Sequence, residues 1–380
     1  MPTTSITILK SNISKIGGLE KYTLRLAKAF KERGADVHLL TSGIYSSVES
    51  LKNISVKSYI PKNKLSLLKV REYENFCHQH LNTSQSSIIF GLDRNRFQTH
   101  IRAGNGVHAA YLDRRKSSEG FLNKLSMSVN PLHKLILSIE KESFENKKLK
   151  TLFTNSQMVK NEILNYYDVD ESKIQVIHNG VEWKEMHSAF VVSSDLKPLL
   201  CKELCLDEHV FHFLFIGHNF ERKGLKPLMD ALSKLSTKEF HLSVLGTDKH
   251  LNEFKSYAQR LGLSKQITFF GSRKDIIKFY QVADCLVIPS IYDPFANVTL
   301  EALSMGLQVI SSRANGASEI LQNGCGYLLD HIFEVEAFTH TLAKALMHPK
   351  KGPSAQNCRN SVQHLDFPHQ LKKMVDATFL

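Results

Sequence analysis

Two carboxylates stand eight residues apart in Asp293-Pro294-Phe295-Ala296-Asn297-Val298-Thr299-Leu300-Glu301-Ala302, directly after the apolar run Cys285-Leu286-Val287-Ile288-Pro289. The pattern reads as a buried strand, a loop carrying Asp293 and the start of a helix carrying Glu301. The backbone N–H groups of Phe295, Ala296, Asn297 and Val298 fall at the helix N-terminus, where unpaired donors and the helix dipole favour a phosphate. Carboxylates on both sides of an anion site suit a ligand with hydroxyls at both ends of a diphosphate, which describes a nucleotide sugar. Upstream, Val210-Phe211-His212-Phe213-Leu214-Phe215-Ile216-Gly217 is a strand ending in glycine, followed by His218-Asn219-Phe220-Glu221-Arg222-Lys223-Gly224. Arg222 can grip phosphate oxygens bidentately and Lys223 acts as a point charge. Their place between a strand and a helix is where α/β proteins bind ligands.

The elements that must hold these residues are an alternation of strand-like and helix-like segments in both halves, the pattern of parallel sheets covered by helices. In the first half the strands are Ser5–Leu9, Val37–Thr41, Ser86–Gly91, Thr151–Ser156 and Lys173–Val181. A helix over Glu20–Arg33 buries Tyr22, Leu26, Ala29 and Phe30 on one face and stops at Gly34. The second half carries strands at 210–216, 241–245, 267–270, 285–288 and 307–311. The polar stretch Glu182–Glu208 reads as a linker, and Ser361–Leu380 as a helix broken at Pro368. Three domain segments follow: 1–185, 186–360 and a terminal helix over 361–380.

These motifs resemble the retaining glycosyltransferases of family four, which have the GT-B architecture of two Rossmann-like domains with parallel sheets facing across a cleft. The family pattern E-x7-E followed by L-E-A-x-x-x-G-x-P-V stands here as Asp293 to Glu301, then Ala302-Leu303-Ser304-Met305-Gly306-Leu307-Gln308-Val309. Asp293 replaces the first glutamate, and Gln308 the proline. The likeness runs from Gly17 to about Gly326. It is strongest toward the lipopolysaccharide-core glucosyltransferases, through Gly217–Gly224, Phe269-Phe270-Gly271-Ser272-Arg273-Lys274-Asp275 and Ile101–Arg115. Asn105 stands where that group commonly has an acidic residue.

The resemblance implies a metal-independent, retaining hexosyl transfer from a nucleoside-diphosphate sugar, UDP-glucose or a close relative, with no cofactor. The acceptor it implies is a lipopolysaccharide-core or other lipid-linked saccharide. It assigns the diphosphate to Arg222 and Lys223, the ribose to Glu301, and the hexose and phosphate to Asp293 and the 295–298 amides. The loop holding Gly17 and Gly18, His108 near the transferred hexose, and Arg273 in the loop that cups the nucleobase complete the set. Asp293, His108, Lys223 and Arg222 are the catalytic candidates. The terminal helix is expected to cross back to the first domain. Two other readings stay open: a soluble glycan or small-molecule glycosyltransferase, and an inactive GT-B scaffold that only binds.

Composition sets outer bounds. The 380 residues suffice for two cores, and 42% apolar with 23% charged content is ordinary for a globular chain. No run of about 18 apolar residues suggests a membrane span, and the N-terminus reads as a strand, not a signal peptide. The scattered cysteines fit a reduced, cytoplasmic setting, and the Cys201-x3-Cys205 pair has no second pair to make a metal site. The net charge of +12 concentrates in residues 1–185, which carry +10. Nucleic acid and anionic lipid are the candidate partners; no nucleic-acid motif is present. The segment 111–150 carries +4 among Phe121, Leu122, Leu125, Met127, Leu132, Leu135 and Ile136. It suits a helix lying on an anionic membrane surface, which would make the protein peripheral at the inner face of the cytoplasmic membrane. Asp168-Val169-Asp170 matches a metal-binding D-x-D but sits in a polar turn, so no metal site is assigned.

Overall fold

The computed structural model describes residues 4–13, 18–43, 54–81, 86–118 and 129–380. The chain divides into two compact units, Met1–His178 with Gln370–Leu380, and Asn179–His369.

In the first unit the elements follow as β1 (Ser5–Leu9), α1 (Gly18–Glu32), β2 (Asp36–Ser42), β3 (Ser55–Tyr59), α2 (Ser66–Leu81), β4 (Ile88–Gly91), β5 (His100–Arg102), α3 (His108–Ser118), α4 (Pro131–Phe144), β6 (Thr151–Thr154), α5 (Gln157–Tyr166) and β7 (Ile174–Val176). All pairings are parallel, in the order β3-β2-β1-β4-β5-β6-β7. The period-two pattern of β1 sends Ile6 and Ile8 to the face where α1 lays down Leu26, Ala27 and Phe30. Leu9 on the other face meets Leu40, Tyr73 and Cys77.

The second unit contains α6 (His187–Val191), α7 (Ser193–Leu204), β8 (Phe211–Ile216), α8 (Leu225–Ser233), β9 (Phe240–Leu245), α9 (Leu251–Arg260), β10 (Ile267–Gly271), α10 (Ile276–Val282), β11 (Cys285–Ile288), α11 (Asn297–Ser304), β12 (Gln308–Ser312), β13 (Gly326–Leu329), α12 (Val335–Leu346), α13 (Gly352–Ser361) and the start of α14 (Phe367–Thr378). Its sheet is again parallel, ordered β10-β9-β8-β11-β12-β13. Every residue of β8, β9 and β11 is buried, as expected of strands covered on both faces. Phe211, Phe213 and Phe215 enter one core with Phe220, Leu225 and Leu228, and Leu214 and Ile216 enter the other with Leu286, Ile288 and Leu300.

Several boundaries differ from the sequence reading. The stretch expected to be a linker is mostly helix, because Leu200, Cys201 and Leu204 recur at helical spacing and are buried. Pro368 does not break the last helix; it sits in the first turn of α14, where its missing N–H costs nothing. That helix then supplies Met374 and Val375 to the core of the first unit. The short strands β3, β5 and β13 were not anticipated.

In each sheet the chain builds outward from a central strand and then returns to its other side. The strand order therefore reverses between β1 and β4, and between β8 and β11. Open α/β sheets bind ligands beyond the carboxyl ends of the strands at such a reversal.

Candidate active site

Both motifs of the second half fall at its sheet reversal: 217–224 follows β8, and Asp293 follows β11. The first loop is shaped by its own residues. Asn219 adopts a left-handed conformation with φ of 58°, its carbonyl accepts the Lys223 N–H at 3.1 Å, and its side chain accepts the Arg222 N–H at 3.1 Å. Asp248 holds the Phe220 N–H at 2.6 Å. Gly224, with φ of 79°, passes so near Pro289 that a Cβ would lie 2.0 Å from its carbonyl oxygen, so only glycine fits. The turn thereby aims Lys223 across the reversal, where its Nζ forms an ion pair with Asp293 Oδ2. Both residues are buried. Arg222 Nη1 lies 3.6 Å from the same carboxylate oxygen and donates to the Tyr292 carbonyl at 2.7 Å. Three of the charged residues singled out from sequence, Arg222, Lys223 and Asp293, thus form one cluster.

The Asp293 loop is braced from the segment after β12. Asp293 N–H donates to the Ala314 carbonyl at 2.9 Å, and Gly316 N–H returns to the Asp293 carbonyl at 2.9 Å. Asn315, fully buried, accepts from Ala296 N–H at 3.0 Å and Ala317 N–H at 3.1 Å and donates to Ser311 Oγ at 3.0 Å. Asp293 Oδ1 accepts the Phe295 N–H at 3.1 Å. The expectation that four successive amides serve a ligand is therefore corrected: those of Phe295 and Ala296 already have partners in the protein. Asn297 and Val298 open α11, whose N-terminus has no side-chain cap. The exposed Asn297 side chain accepts from Asn179 at 2.6 Å.

Glu301, one helical face away, accepts the hydroxyl of the buried Tyr280 at 2.7 Å. Burial first, and the charge of Glu301 next, push the Tyr280 phenol far up, so it stays a donor. Lys350 fixes the end of α10, which carries Tyr280, by donating to the carbonyls of Tyr280 at 2.8 Å and Gln281 at 2.7 Å. Desolvation there pushes the Lys350 ammonium down to about 7 against the pull of Asp284. Arg273 is bound bidentately by Asp275 at 2.9 and 2.7 Å, so its guanidinium is engaged beside the loop after β10.

In the first unit, Gly17 lies outside the described residues and Gly18 opens α1. His108 is buried at the start of α3. Its backbone N–H donates to both oxygens of Glu140, at 2.8 and 2.9 Å, and its Nε2 lies 3.0 Å from His133 Nδ1. Burial, with Arg94 and His133 nearby, pushes the His108 imidazole down to about 3. It is a neutral hydrogen-bonding group at ordinary pH, not an acid. Asn105 is exposed in the preceding loop. Asp170 caps a turn by accepting from Ser172 N–H at 2.9 Å and Oγ at 2.7 Å, a structural use for half of the D-x-D. Of the basic segment 111–150, residues 111–118 continue α3 and 131–144 form α4; Phe121, Leu122, Leu125 and Met127 lie outside the described residues. Among the described residues no helix is long and apolar enough to cross a membrane.

Comparison with known proteins accounts for both halves. The family model of glycosyl transferases group 1 matches residues 202–364, and that of glycosyltransferase family 4 matches residues 16–184. The chain belongs to the family 4, group 1 glycosyltransferases. This transferase is 24% identical over 368 residues to the lipopolysaccharide glucosyltransferase WaaG of Escherichia coli K12, covering 95% of this chain and 94% of that one. The crystal structure of WaaG, a glycosyltransferase involved in lipopolysaccharide biosynthesis, superposes with a TM-score of 0.81 at 21% identity, over 98% of this chain and 99% of that one. HepE of Anabaena, solved in complex with UDP-glucose, superposes with a TM-score of 0.67 at 17% identity over 99% of each chain. The fold is GT-B.

Sequence reasoning singled out the charged residues that the fold brings together and missed the side chains that hold them. Asn315, Tyr280, Lys350, Glu140 and His133 lie far along the chain from the residues they hold. Asn315-Gly316, a turn dipeptide just after a strand, was the one local signal available.

Proposed function

We propose that this transferase moves glucose from UDP-glucose, with retention of anomeric configuration and without a metal, to a lipopolysaccharide-core or other lipid-linked saccharide. The observation that carries the donor reading is the convergence of Arg222, Lys223 and Asp293 at the sheet reversal, with Glu301 about one turn into α11. The WaaG and HepE likenesses support the choice of donor and acceptor class. In the free protein Lys223 and Asp293 neutralise each other. An arriving diphosphate supplies the anion for Lys223 and Arg222, assisted by the Asn297 and Val298 amides, and releases Asp293 to accept sugar hydroxyls. Glu301, steadied by Tyr280, accepts ribose hydroxyls. In the transfer step the bond from the anomeric carbon to the β-phosphate oxygen breaks. The acceptor hydroxyl oxygen bonds to that carbon on the same face, and its proton passes to the departing phosphate. The cations stabilise the charge developing on UDP. The acceptor's lipid would lie in the cytoplasmic membrane, approached through the basic segment 111–150.

A thermal-shift panel of UDP-, GDP- and ADP-sugars and free UDP, without added metal, tests this reading, since a ligand that binds only the folded state raises its melting temperature. Selective stabilisation by UDP and UDP-glucose is expected, with transfer to lipopolysaccharide lacking outer-core sugars. No shift with any nucleotide would remove the donor site. Sedimentation with anionic and with zwitterionic vesicles tests the membrane part; equal binding to both would exclude an electrostatic role for 111–150.

A further inference from the structure

His108 is gripped at two points by a single helix. Asn130 accepts the Leu132 N–H at 2.9 Å and Pro131 starts α4, which sets the helix with His133 and Glu140 two turns apart and hence on one face. Glu140 closes the N-terminus of α3 at the His108 amide with both carboxylate oxygens. That placement is favourable because the carboxylate meets unpaired N–H groups and the positive end of the helix dipole. The carboxylate is fully buried and is itself held by Arg94 Nε at 2.8 Å and the Tyr167 hydroxyl at 2.8 Å. Burial and the Glu140 charge push the Tyr167 phenol upward, so it remains a donor. The second grip is on the ring: His133 Nδ1 lies 3.0 Å from His108 Nε2, with ring centroids 5.0 Å apart. Arg94 also donates to the Gly106 carbonyl at 3.3 Å, tying the loop before His108 to the same cluster.

We infer that His133 and Glu140 are positioning residues of the transferase. Glu140 fixes where the His108 backbone begins its helix, and His133 fixes which ring nitrogen of His108 carries the proton. Two neutral imidazoles 3.0 Å apart share one hydrogen bond, so one ring donates through N–H and the other accepts. The tautomers of the two rings are therefore linked: with His133 Nδ1 accepting, His108 carries its proton on Nε2 and keeps Nδ1 as an acceptor for a substrate hydroxyl. The inference rests on the reading that His108 touches the transferred sugar. The half-exposed His133 is open to substitution without disturbing the core.

The test combines spectroscopy with turnover. In 15N-histidine-labelled full-length protein, with His108 assigned through His108→Ala, the wild-type ring should show one fixed neutral tautomer between pH 6 and 8, as roughly expected of a histidine titrating far below that range. In His133→Phe the two ring nitrogens of His108 should move toward averaged shifts. Hydrolysis of UDP-glucose, measured as UDP released, should fall about tenfold in kcat with little change in KM, the size expected when a reacting-site group loses its orientation. His133→Asn, which keeps a hydrogen-bonding partner, should restore most of both signals. An unchanged His108 spectrum in His133→Phe overturns the inference. Unchanged hydrolysis in His108→Ala, with the spectrum behaving as expected, instead overturns the reading of His108 and with it any part of the pair in turnover.

Discussion

The replacement Lys223→Ala separates the structural role of the cluster from its role in binding. It leaves Asp293 buried without its ion-pair partner. Removing one member of a buried pair costs about 3–5 kcal/mol. Arg222 Nη1 remains 3.6 Å from the stranded oxygen and the Phe295 N–H still serves the other, so the lower end, about 3 kcal/mol, applies. For a unit of this size each kcal/mol lowers the melting temperature by about 2–4 °C, giving a drop of about 6–12 °C. Free UDP at a hundredfold excess over its Kd should stabilise the wild type by about 2.7 kcal/mol and raise its melting temperature by about 5–11 °C, and should leave the variant unmoved. Differential scanning calorimetry with and without UDP reads both effects. The double variant Lys223→Met with Asp293→Leu removes both charges and should recover most of the stability, because a buried pair replaced by apolar side chains is often neutral. It should still fail to respond to UDP. Wild-type melting of Lys223→Ala would refute the buried pair, and a surviving UDP shift would refute the clamp.

Three further outcomes are expected. Tyr280→Phe removes the donor to Glu301, worth about 1 kcal/mol, and should raise the Kd for UDP in calorimetric titration roughly fivefold; an unchanged Kd would disconnect Glu301 from the nucleotide. Arg359 is fully buried, donates to the Ser304 and Trp183 carbonyls and stacks on Trp183 at 4.2 Å. Arg359→Ala, which strands those carbonyls and opens a void, should cost about 3 kcal/mol in denaturant unfolding, and a loss near zero would contradict the packing. Finally, burial pushes His100 and His241 down to about 4 and His108 down to about 3. Their folded forms stay neutral while the unfolded chain takes up protons below about 6.5, so their stabilisation is complete above that pH and is lost as the pH falls toward about 4. Each should cost on the order of 2 kcal/mol by pH 5, and equal unfolding free energies at pH 7 and pH 5 would refute the burial of these rings.

What the sequence disclosed and what it withheld follow from the range of the interactions involved. β11 is a continuous apolar run, β8 is interrupted only by His212, and β9 only by His241 and Ser243; all three are buried throughout, and this apolar density marks them. β13 pairs only with β12 and is half-exposed, so its four residues carry no comparable pattern. The 182–208 stretch looked irregular because its polar residues cover the exposed face of α7, while Leu200, Cys201 and Leu204 hold the buried one. At the site, Lys223 and Asp293 were legible because each sits in a strand-to-helix loop that punctuates its own segment. Glu140 was not: a glutamate on a charged helix reads as a solvated side chain, and only the fold brings Arg94, Tyr167 and the His108 amide around it.

The aspartate at 293, which departs from the family's glutamate, has a local physical reason. Asp293 Oδ1 accepts the N–H of the residue two positions on, Phe295, at 3.1 Å, the hydrogen bond of an Asx turn, which a short side chain makes to its own backbone. Its other oxygen pairs with Lys223. Asn315 makes the same kind of turn to Ala317 at 3.1 Å while bracing Ala296. The two loops lean on each other through the backbone bridge between positions 293 and 315. A glutamate would carry its carboxylate one methylene past the Phe295 amide. It would then have to leave either the turn or the lysine. The shorter side chain serves both, so the aspartate at 293 holds a carboxylate beside Lys223 and Arg222 while closing its own turn.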